Sequence, residues 1–522
     1  MKIKTYCILV GLSIIVYSDT IEAKWPRWIK EIGKLIQQPT AQDTCPPAIE
    51  GAITDNITAR LKERLGQPDK NTIDDASCLN KTNVFAIVQP TKESQIKEVI
   101  NFARAHDKHI SIAAVRHSMG GQTFYPDSII IDMTKYNKML SLDHVKKIAH
   151  VQSGITWATI QDHVDDYNLS IRAMQSTNIF SVGGSMSVNA HGMDHKAGSV
   201  AQTVLAFRIM MADGSVKNVT QANDPELFEL VLGGYGLFGI ILDAQIGLTE
   251  NVAYMPKIKF VKTTLLAQNL NNILGNPNIG IFYAHLSTSP YSMLNDALLY
   301  QYEFQTFTSK IPHLGQARHT RFKRLILNLA KKREYGRHLK WFLEKHIERF
   351  MQQCKHPILK YKCLISRNEL MNDSVPYLQH ALLNSVDILQ EYFIPAKNLD
   401  NFINVLRQLV RQYNINLLNV SIRIVHKEDI FLNYAPTPRV AVVLYFNQKR
   451  NDSDVKKITT FTQALINSTL KLNGTFFLPY QLYYTRNQLK HSYPMIDKFF
   501  AFKRKYDPNL LFMNEFYSKY AE

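Results

Sequence analysis

The sequence predicts an α+β fold in two domains, and three observations carry that expectation. From Val84 onward, short apolar runs alternate with helical periodicity. Val84–Val88 is apolar, Pro90 ends it, and Glu93–His106 sets Ile96, Val99, Ile100 and Ala103 on one face. From about Asn251 the period shifts toward two: Lys257–Lys262, Ile279–Ser287, Leu299–Phe304, Leu417–Val425 and Val440–Phe446 read as an antiparallel sheet. The third observation is length, since 522 residues exceed what one hydrophobic core serves. A hydrophobic content of 45% with 11% aromatics excludes a disordered or fibrous chain.

In chain order, residues 1–23 carry lysines at positions 2 and 4, an apolar run Tyr6–Tyr17, and small Ala23 at a cleavage point. That reads as a secretory signal peptide, too short in its apolar part to span a membrane comfortably, with an uncleaved anchor as the alternative. The expected location is exported, periplasmic or secreted. Cys7 would leave with the signal, so Cys45, Cys78, Cys354 and Cys363 remain. An even number in an exported chain favours disulfides, and Cys354 and Cys363 are close enough to close a small loop. No Cys/His spacing suits a metal, and none is expected.

Residues 24–78 form a lead-in, with an amphipathic start at Trp25-Pro26-Arg27-Trp28 and helical character over Asn56–Leu65. The first domain, 79–250, adds strands at Ile129–Met133 and Ile148–Ser153 and a helix at Trp157–Tyr167. The second, 251–476, interleaves its strands with helices at Leu399–Tyr413 and Asp454–Leu472. Within it, Lys310–Lys362 holds 15 lysines and arginines against three glutamates, a net +12 of the chain's +17. Leu325, Leu329, Phe342, Leu343, Ile347 and Phe350 recur there at helical spacing. Such a segment either lies on an anionic membrane surface or is a solvated helix with a basic face. Without a recognisable nucleic-acid module, nucleic acid is not an expected partner.

The chain is organised around Val182-Gly183-Gly184-Ser185-Met186-Ser187-Val188-Asn189-Ala190-His191-Gly192. Paired glycines followed by small residues let a backbone lie flat against a planar or phosphorylated ligand, with Asn189 and His191 as the sizeable polar groups. Upstream, Arg116-His117-Ser118-Met119-Gly120-Gly121-Gln122 sits between two β-rich segments and offers N–H donors and a cation, as a pyrophosphate cradle requires. Downstream, Gly234, Gly236 and Gly239 match GxGxxG in letters. A helix-like Pro225–Leu232 precedes them and a β-rich Ile240–Leu248 follows, which inverts the strand-then-helix order of a nicotinamide fingerprint.

These three stretches, in this order, resemble the vanillyl-alcohol-oxidase family of FAD-linked oxidoreductases with a PCMH-type FAD-binding domain. Ala197-Gly198-Ser199, Ala212-Asp213-Gly214, Glu226-Leu227-Phe228 and the tail from Tyr493-Pro494 to Asp507-Pro508 bring the pattern nearest to the decaprenylphosphoryl-ribose oxidases. Cytokinin dehydrogenases and sugar and lactone oxidases resemble it more distantly. The resemblance implies a two-part FAD domain, N-terminal part plus a C-terminal return over 477–522, with an antiparallel-sheet substrate domain inserted between them.

It also implies site residues. A histidine in the position of His117 bonds the flavin covalently in many relatives, although Val115 stands where glycine is common. FAD would be held by Arg116, His117, Ser118, Met119, Gly120, Gly121, Gln122, Val182, Gly183, Gly184, Ser187, Asn189, His191, Gly192, Gly239, Ile240 and Asn514. His191 would also act in catalysis, as a donor that stabilises reduced flavin. Ser176 occupies the place of the cytokinin dehydrogenases' aspartate, and Tyr480 that of the ribose oxidases' lysine. Tyr480 becomes the candidate base if a cation lowers its pKa, and Arg423, on the same strand face as Asn419 and Ser421, is the candidate cation. The expected activity is oxidation of a CH–OH group of a sugar, lactone or polyol-like alcohol, with oxygen, a quinone or a protein as acceptor. An amine-oxidising enzyme and a catalytically idle FAD-fold binding protein are the alternatives.

Overall fold

The computed structural model describes residues 45–66, 71–305, 320–348, 364–372, 382 and 384–521. The signal-like segment, Trp25–Trp28, Phe350, Cys354 and Cys363 lie outside the described residues. Helix α1 (Ile57–Glu63) and the hairpin β1 (Asn71–Ile73) and β2 (Thr82–Val84) lead in. Strand β3 (Ala86–Val88), helix α2 (Glu93–Ala105), β4 (Ile110–Ala113) and β5 (Ile129–Asp132) then form a parallel sheet with β5 in the middle. Ile129, Ile130 and Ile131 are all buried, as a strand covered on both faces requires. Helix α2 buries the expected face of Ile96, Val99, Ile100 and Ala103, and Phe102 as well.

A second sheet continues the lobe. Its elements are β6 (Met139–Asp143), β7 (Ile148–Gln152), α3 (Trp157–Asp165), β8 (Leu169–Ile171), α4 (Val182–Ser187), β9 (Val204–Met210), β10 (Val216–Val219), α5 (Pro225–Val231) and β11 (Ile240–Glu250). The antiparallel order is β10-β9-β11-β7-β6, with β8 on the far part of β11. Helix α5 followed by strand β11 bears out the inverted order read at Gly234–Gly239. The paired glycines differ from expectation: they form the short helix α4, whose first turn Ser181 caps by accepting from the Gly184 N–H.

The chain then builds an eight-stranded antiparallel sheet. Its members are β12 (Ala253–Lys262), β13 (Ile279–Leu286), β14 (Asp296–Gln305), β15 (Ile365–Ser366), β16 (Ser385–Ile394), β17 (Asn416–Val425), β18 (Arg439–Lys449) and β19 (Thr475–Phe476), in the order β15-β12-β14-β13-β17-β18-β16-β19. The helices are α6 (Leu266–Leu274), α7 (Thr320–Lys332), α8 (Glu334–Phe342), which runs on into a π-helical turn over Leu343–Glu348, α9 (Arg367–Met371), α10 (Leu399–Gln412) and α11 (Asp452–Lys471). The basic segment contributes α7, α8 and the π turn. Leu325 and Leu327 of α7 are buried, while Phe342 and Ile347 are exposed.

Helices α12 (Arg486–Ser492), α13 (Ile496–Tyr506) and α14 (Glu515–Tyr520) carry the chain back to the first lobe. There Ile110 donates to Leu511 O at 2.6 Å and Met513 N to Ile110 O at 2.9 Å. One apolar cluster includes Trp157 of the first lobe, Ile422 of the large sheet and Phe516 of the return, so the lobes share a core. The architecture is α+β.

Candidate active site

A cavity of about 1080 Å³ opens where the first lobe faces the inner side of the large sheet. Its floor is the loop after β4, the turn before α4, and α4 itself. Its wall is β13, β17, β18 and β16, and its roof is α7, α8 and the π turn. Of the residues expected at a cofactor or substrate, Arg116, His117, Ser118, Gln122, Gly183, Gly184, Ser187, His191, Gly239, Arg423 and Tyr480 line it.

The loop after β4 is shaped by what surrounds it. Arg116 has φ of 55°, and its guanidinium donates to Asp74 O at 2.9 Å and Pro47 O at 2.6 Å. The Cys45–Cys78 disulfide closes the segment that supplies both carbonyls. His117 packs edge-on to Phe180 at 4.9 Å, and burial pushes its pKa down to about 4, so the imidazole is neutral. Gln122 spans to the return segment, donating to Leu478 O at 2.8 Å and Tyr480 O at 3.0 Å.

The remaining expected residues stand off the cavity lining, each for a visible reason. Met119 N donates to Pro479 O at 2.7 Å. A Cβ on Gly120 would lie 2.5 Å from Tyr480 O, and one on Gly121 2.7 Å from Glu515 Cγ, so these glycines admit the return segment. A Cβ on Gly192 would lie 2.0 Å from Met174 O. Val182 and Ile240 are buried in the core. Asn514 bridges Gln122 O at 3.1 Å and Tyr235 O at 2.9 Å. Asn189 turns into the protein, where its amide donates to the Glu428 carboxylate and its Oδ1 accepts from Ala201 N at 2.9 Å. Ser199 also donates to Glu428, at 2.9 Å. Burial raises the Glu428 pKa against these bonds.

The chemistry of the wall centres on a residue that sequence reasoning missed. Glu391 on β16 is buried; its Oε1 lies 2.6 Å from His191 Nε2, and its Oε2 accepts from the Tyr480 hydroxyl at 3.2 Å. Burial pushes the Glu391 pKa up, but His191, Arg423 and Tyr480 together outweigh it and hold the carboxyl below its usual range. The signal was present as a carboxylate next to the apolar Tyr392-Phe393-Ile394, which is costly to bury unless paired. Tyr480 departs from its expected role as base. Burial first, and Glu391 second, raise its pKa well above the usual value, and the lowering effect of Arg423 does not compensate. It is a donor that holds Glu391. Arg423, Asn419 and Ser421 share one face of β17 and line the cavity, as alternation required.

The lining suits a large ligand with polar edges. His117 Nδ1, Thr123 Oγ1, Ser153 Oγ, Ser176 Oγ and Thr177 Oγ1 are buried without a hydrogen-bond partner among the described residues, and all belong to cavity-lining side chains. Buried polar atoms are ordinarily satisfied, so such a cluster marks where a ligand completes the structure. The volume exceeds the ~300–1,000 Å³ of ordinary ligand pockets, enough for a dinucleotide and a substrate together. No group of three or more metal-ligating side chains occurs among the described residues.

Comparison with known proteins agrees with this geometry. A family model for an FAD binding domain matches residues 85–220, and one for D-arabinono-1,4-lactone oxidase matches residues 319–520. The putative D-arabinono-1,4-lactone oxidase of Neurospora crassa is 28% identical over 156 residues, 30% of this chain and 28% of that protein. The L-gulonolactone oxidase of Mus musculus is 26% identical over 203 residues, 39% of this chain and 43% of that protein. The decaprenylphosphoryl-beta-D-ribose oxidase of Mycolicibacterium smegmatis is 28% identical over 156 residues, 30% and 34% respectively. The matched region thus spans less than half the length of each of these relatives.

Proposed function

Because the chain belongs to the FAD-dependent oxidoreductases of the vanillyl-alcohol-oxidase family, with a PCMH-type FAD-binding domain, we propose that it oxidises a CH–OH group of a sugar, aldonolactone or polyol-like alcohol. The observation that carries this reading is the buried Glu391–His191–Tyr480 cluster beside Arg423, on the wall of the cavity whose floor is the His117 loop. Bound FAD supplies the acceptor for the hydride that leaves the substrate carbon. Glu391, kept ionised by its neighbours, accepts the hydroxyl proton at Oε2, the oxygen that carries only the long bond from Tyr480. His191 and Tyr480 orient the carboxylate, and Arg423 stabilises negative charge developing on the substrate oxygen. The names of the lactone oxidases among the relatives support the substrate class.

We infer that His117, which is neutral and lines the cavity, would bond the flavin covalently. Acid precipitation of native protein should leave the yellow colour in the pellet, and His117→Ala should release it. Release from both alike would refute the bond. A disulfide at Cys45–Cys78 supports an exported location, and no described helix is long and apolar enough to cross a membrane. Anaerobic mixing with D-arabinono-1,4-lactone, L-gulono-1,4-lactone and a panel of polyols tests the activity itself. Bleaching of the flavin is expected; protein that stays colourless with added FAD, or flavin that no alcohol bleaches, would overturn it.

A further inference from the structure

Beyond the reacting end, the same wall continues. In the large sheet, His285 of β13 pairs with Ser421 of β17, Ser421 with Val443 of β18, and Val443 with Glu391 of β16. Directly paired residues of antiparallel strands point to one face, and all four line the cavity. They form a single transverse row over three strand spacings, so His285 stands about 14 Å from Glu391 along the sheet. That separation is longer than one lactone or pyranose ring reaches with its hydroxyls.

The far end of the row is polar and unengaged. His285, Asn419 and Ser421 make no side-chain hydrogen bond among the described residues, and His285 Nδ1 and Asn419 Oδ1 are buried without a partner. Burial, ahead of every neighbouring charge, pushes the His285 pKa down to about 4, so the ring presents neutral N–H and N groups. An amide, a hydroxyl and a neutral imidazole each donate or accept, as vicinal hydroxyls demand. Lys340 and Glu344 of the roof pair at 2.7 Å and act on His285 with opposite signs, so the roof charges that face it offset each other. The roof over this end is the π turn, a helix variant that recurs at ligand sites.

We propose that the substrate is a glycoside whose reacting ring lies at Glu391, and whose second, neutral sugar ring occupies an outer subsite made by His285, Asn419 and Ser421 beneath the Lys340–Glu344 pair. The assignment of the reacting ring rests on the function proposed above. The outer subsite rests on the row alone.

Isothermal titration of the FAD-loaded protein with glucose and galactose, and with cellobiose, maltose and lactose, tests it without requiring turnover. At least one disaccharide should bind about tenfold or more tighter than its monosaccharides, a difference of about 1.4 kcal/mol. His285→Ala and Asn419→Ala should each shrink that ratio at least about fivefold, with melting temperatures confirming that both variants fold. His285→Gln, which keeps a donor and an acceptor, should retain more of the preference. Equal affinities for one and two rings, no binding of any sugar, or a preference unchanged in the folded variants would overturn the subsite. If no lactone or polyol bleaches the flavin while the disaccharide preference persists and falls in the variants, the proposed oxidation fails and the subsite stands.

Discussion

The floor of the cavity and its wall are built on opposite principles. At the floor and directly behind it, chain segments meet at close range: added Cβ atoms would lie 2.0 Å from Met174 O at Gly192, 2.5 Å from Tyr480 O at Gly120 and 2.8 Å from Ser153 Cβ at Gly183. Those contacts leave room for no side chain, so the floor admits little variation. On the wall, β13, β17, β18 and β16 present side chains at fixed spacing from backbones that pair regardless of identity. Each wall position therefore accepts another residue without disturbing the sheet. Under the function proposed above, the difference separates the part that would hold the cofactor from the part that would select the substrate.

The sharpest way to probe the wall is Glu391→Ala. It removes the proposed acceptor of the substrate proton and leaves His191 and Tyr480 buried without their partner. Flavin reduction under anaerobic rapid mixing should slow by about 10²–10⁴-fold, the range of general-base catalysis. Glu391→Gln keeps the packing and should lose nearly as much, because an amide oxygen does not take the proton. A Gln variant within about threefold of wild type would move the base elsewhere.

The floor breaks through stability. Gly192→Ala forces a Cβ into a carbonyl and should lower stability by about 1–3 kcal/mol in chemical denaturation, the usual range for overpacking. Gly184→Ala is the contrast: its Cβ would meet only the Ser181 hydroxyl, at 2.9 Å, and it sits in helix α4, where alanine is favoured. That variant should stay within about 1 kcal/mol of wild type. Equal losses would mean that close approach does not set the floor.

The same contrast explains what the sequence disclosed. The floor motifs were legible because glycines, His117 and His191 form contiguous strings, and a string needs no knowledge of pairing. Which glycine serves a ligand and which serves a neighbour was not legible. Gly120 and Gly192 answer to Tyr480 and Met174, residues that only the fold brings near. The wall was half legible: alternation correctly put Asn419, Ser421 and Arg423 on one face. Glu391 stayed hidden because Ser385–Ile394 is largely covered on both sides and its polar residues Asp387, Gln390 and Glu391 do not follow the alternating period that marks a half-exposed strand. The basic segment was legible as amphipathic helix but not as part of the site: α7 places Leu325, Leu327 and Ala330 in the core and Ile326 and Leu327 on the cavity roof, while Phe342 and Ile347 stay exposed.

The smallest expected effect lies beside the floor, at His195. Its side chain is buried, its carbonyl accepts from His426 Nε2, and its Nδ1 has no partner among the described residues. Burial is the main cause that lowers its pKa to about 4; Lys196 and His426 act in the same direction and Asp194 against them. The folded protein therefore excludes a proton that the unfolded chain binds below about 6.5. His195 contributes stability above that pH and loses it as pH falls toward 4, by up to about 1.4 kcal/mol per unit. At pH 5.5 the loss relative to pH 7.5 is about 1 kcal/mol. Asp75 works in the opposite direction, because burial raises its folded pKa to about 6 and acidification then favours the fold. The net slope mixes both signs, so the measurement that isolates His195 is a difference. Stability of wild type and His195→Gln, each taken from pH 7.5 to pH 5.5, should diverge by about 1 kcal/mol, with the variant flatter. Parallel curves would show that His195 takes up its proton without unfolding the floor around it.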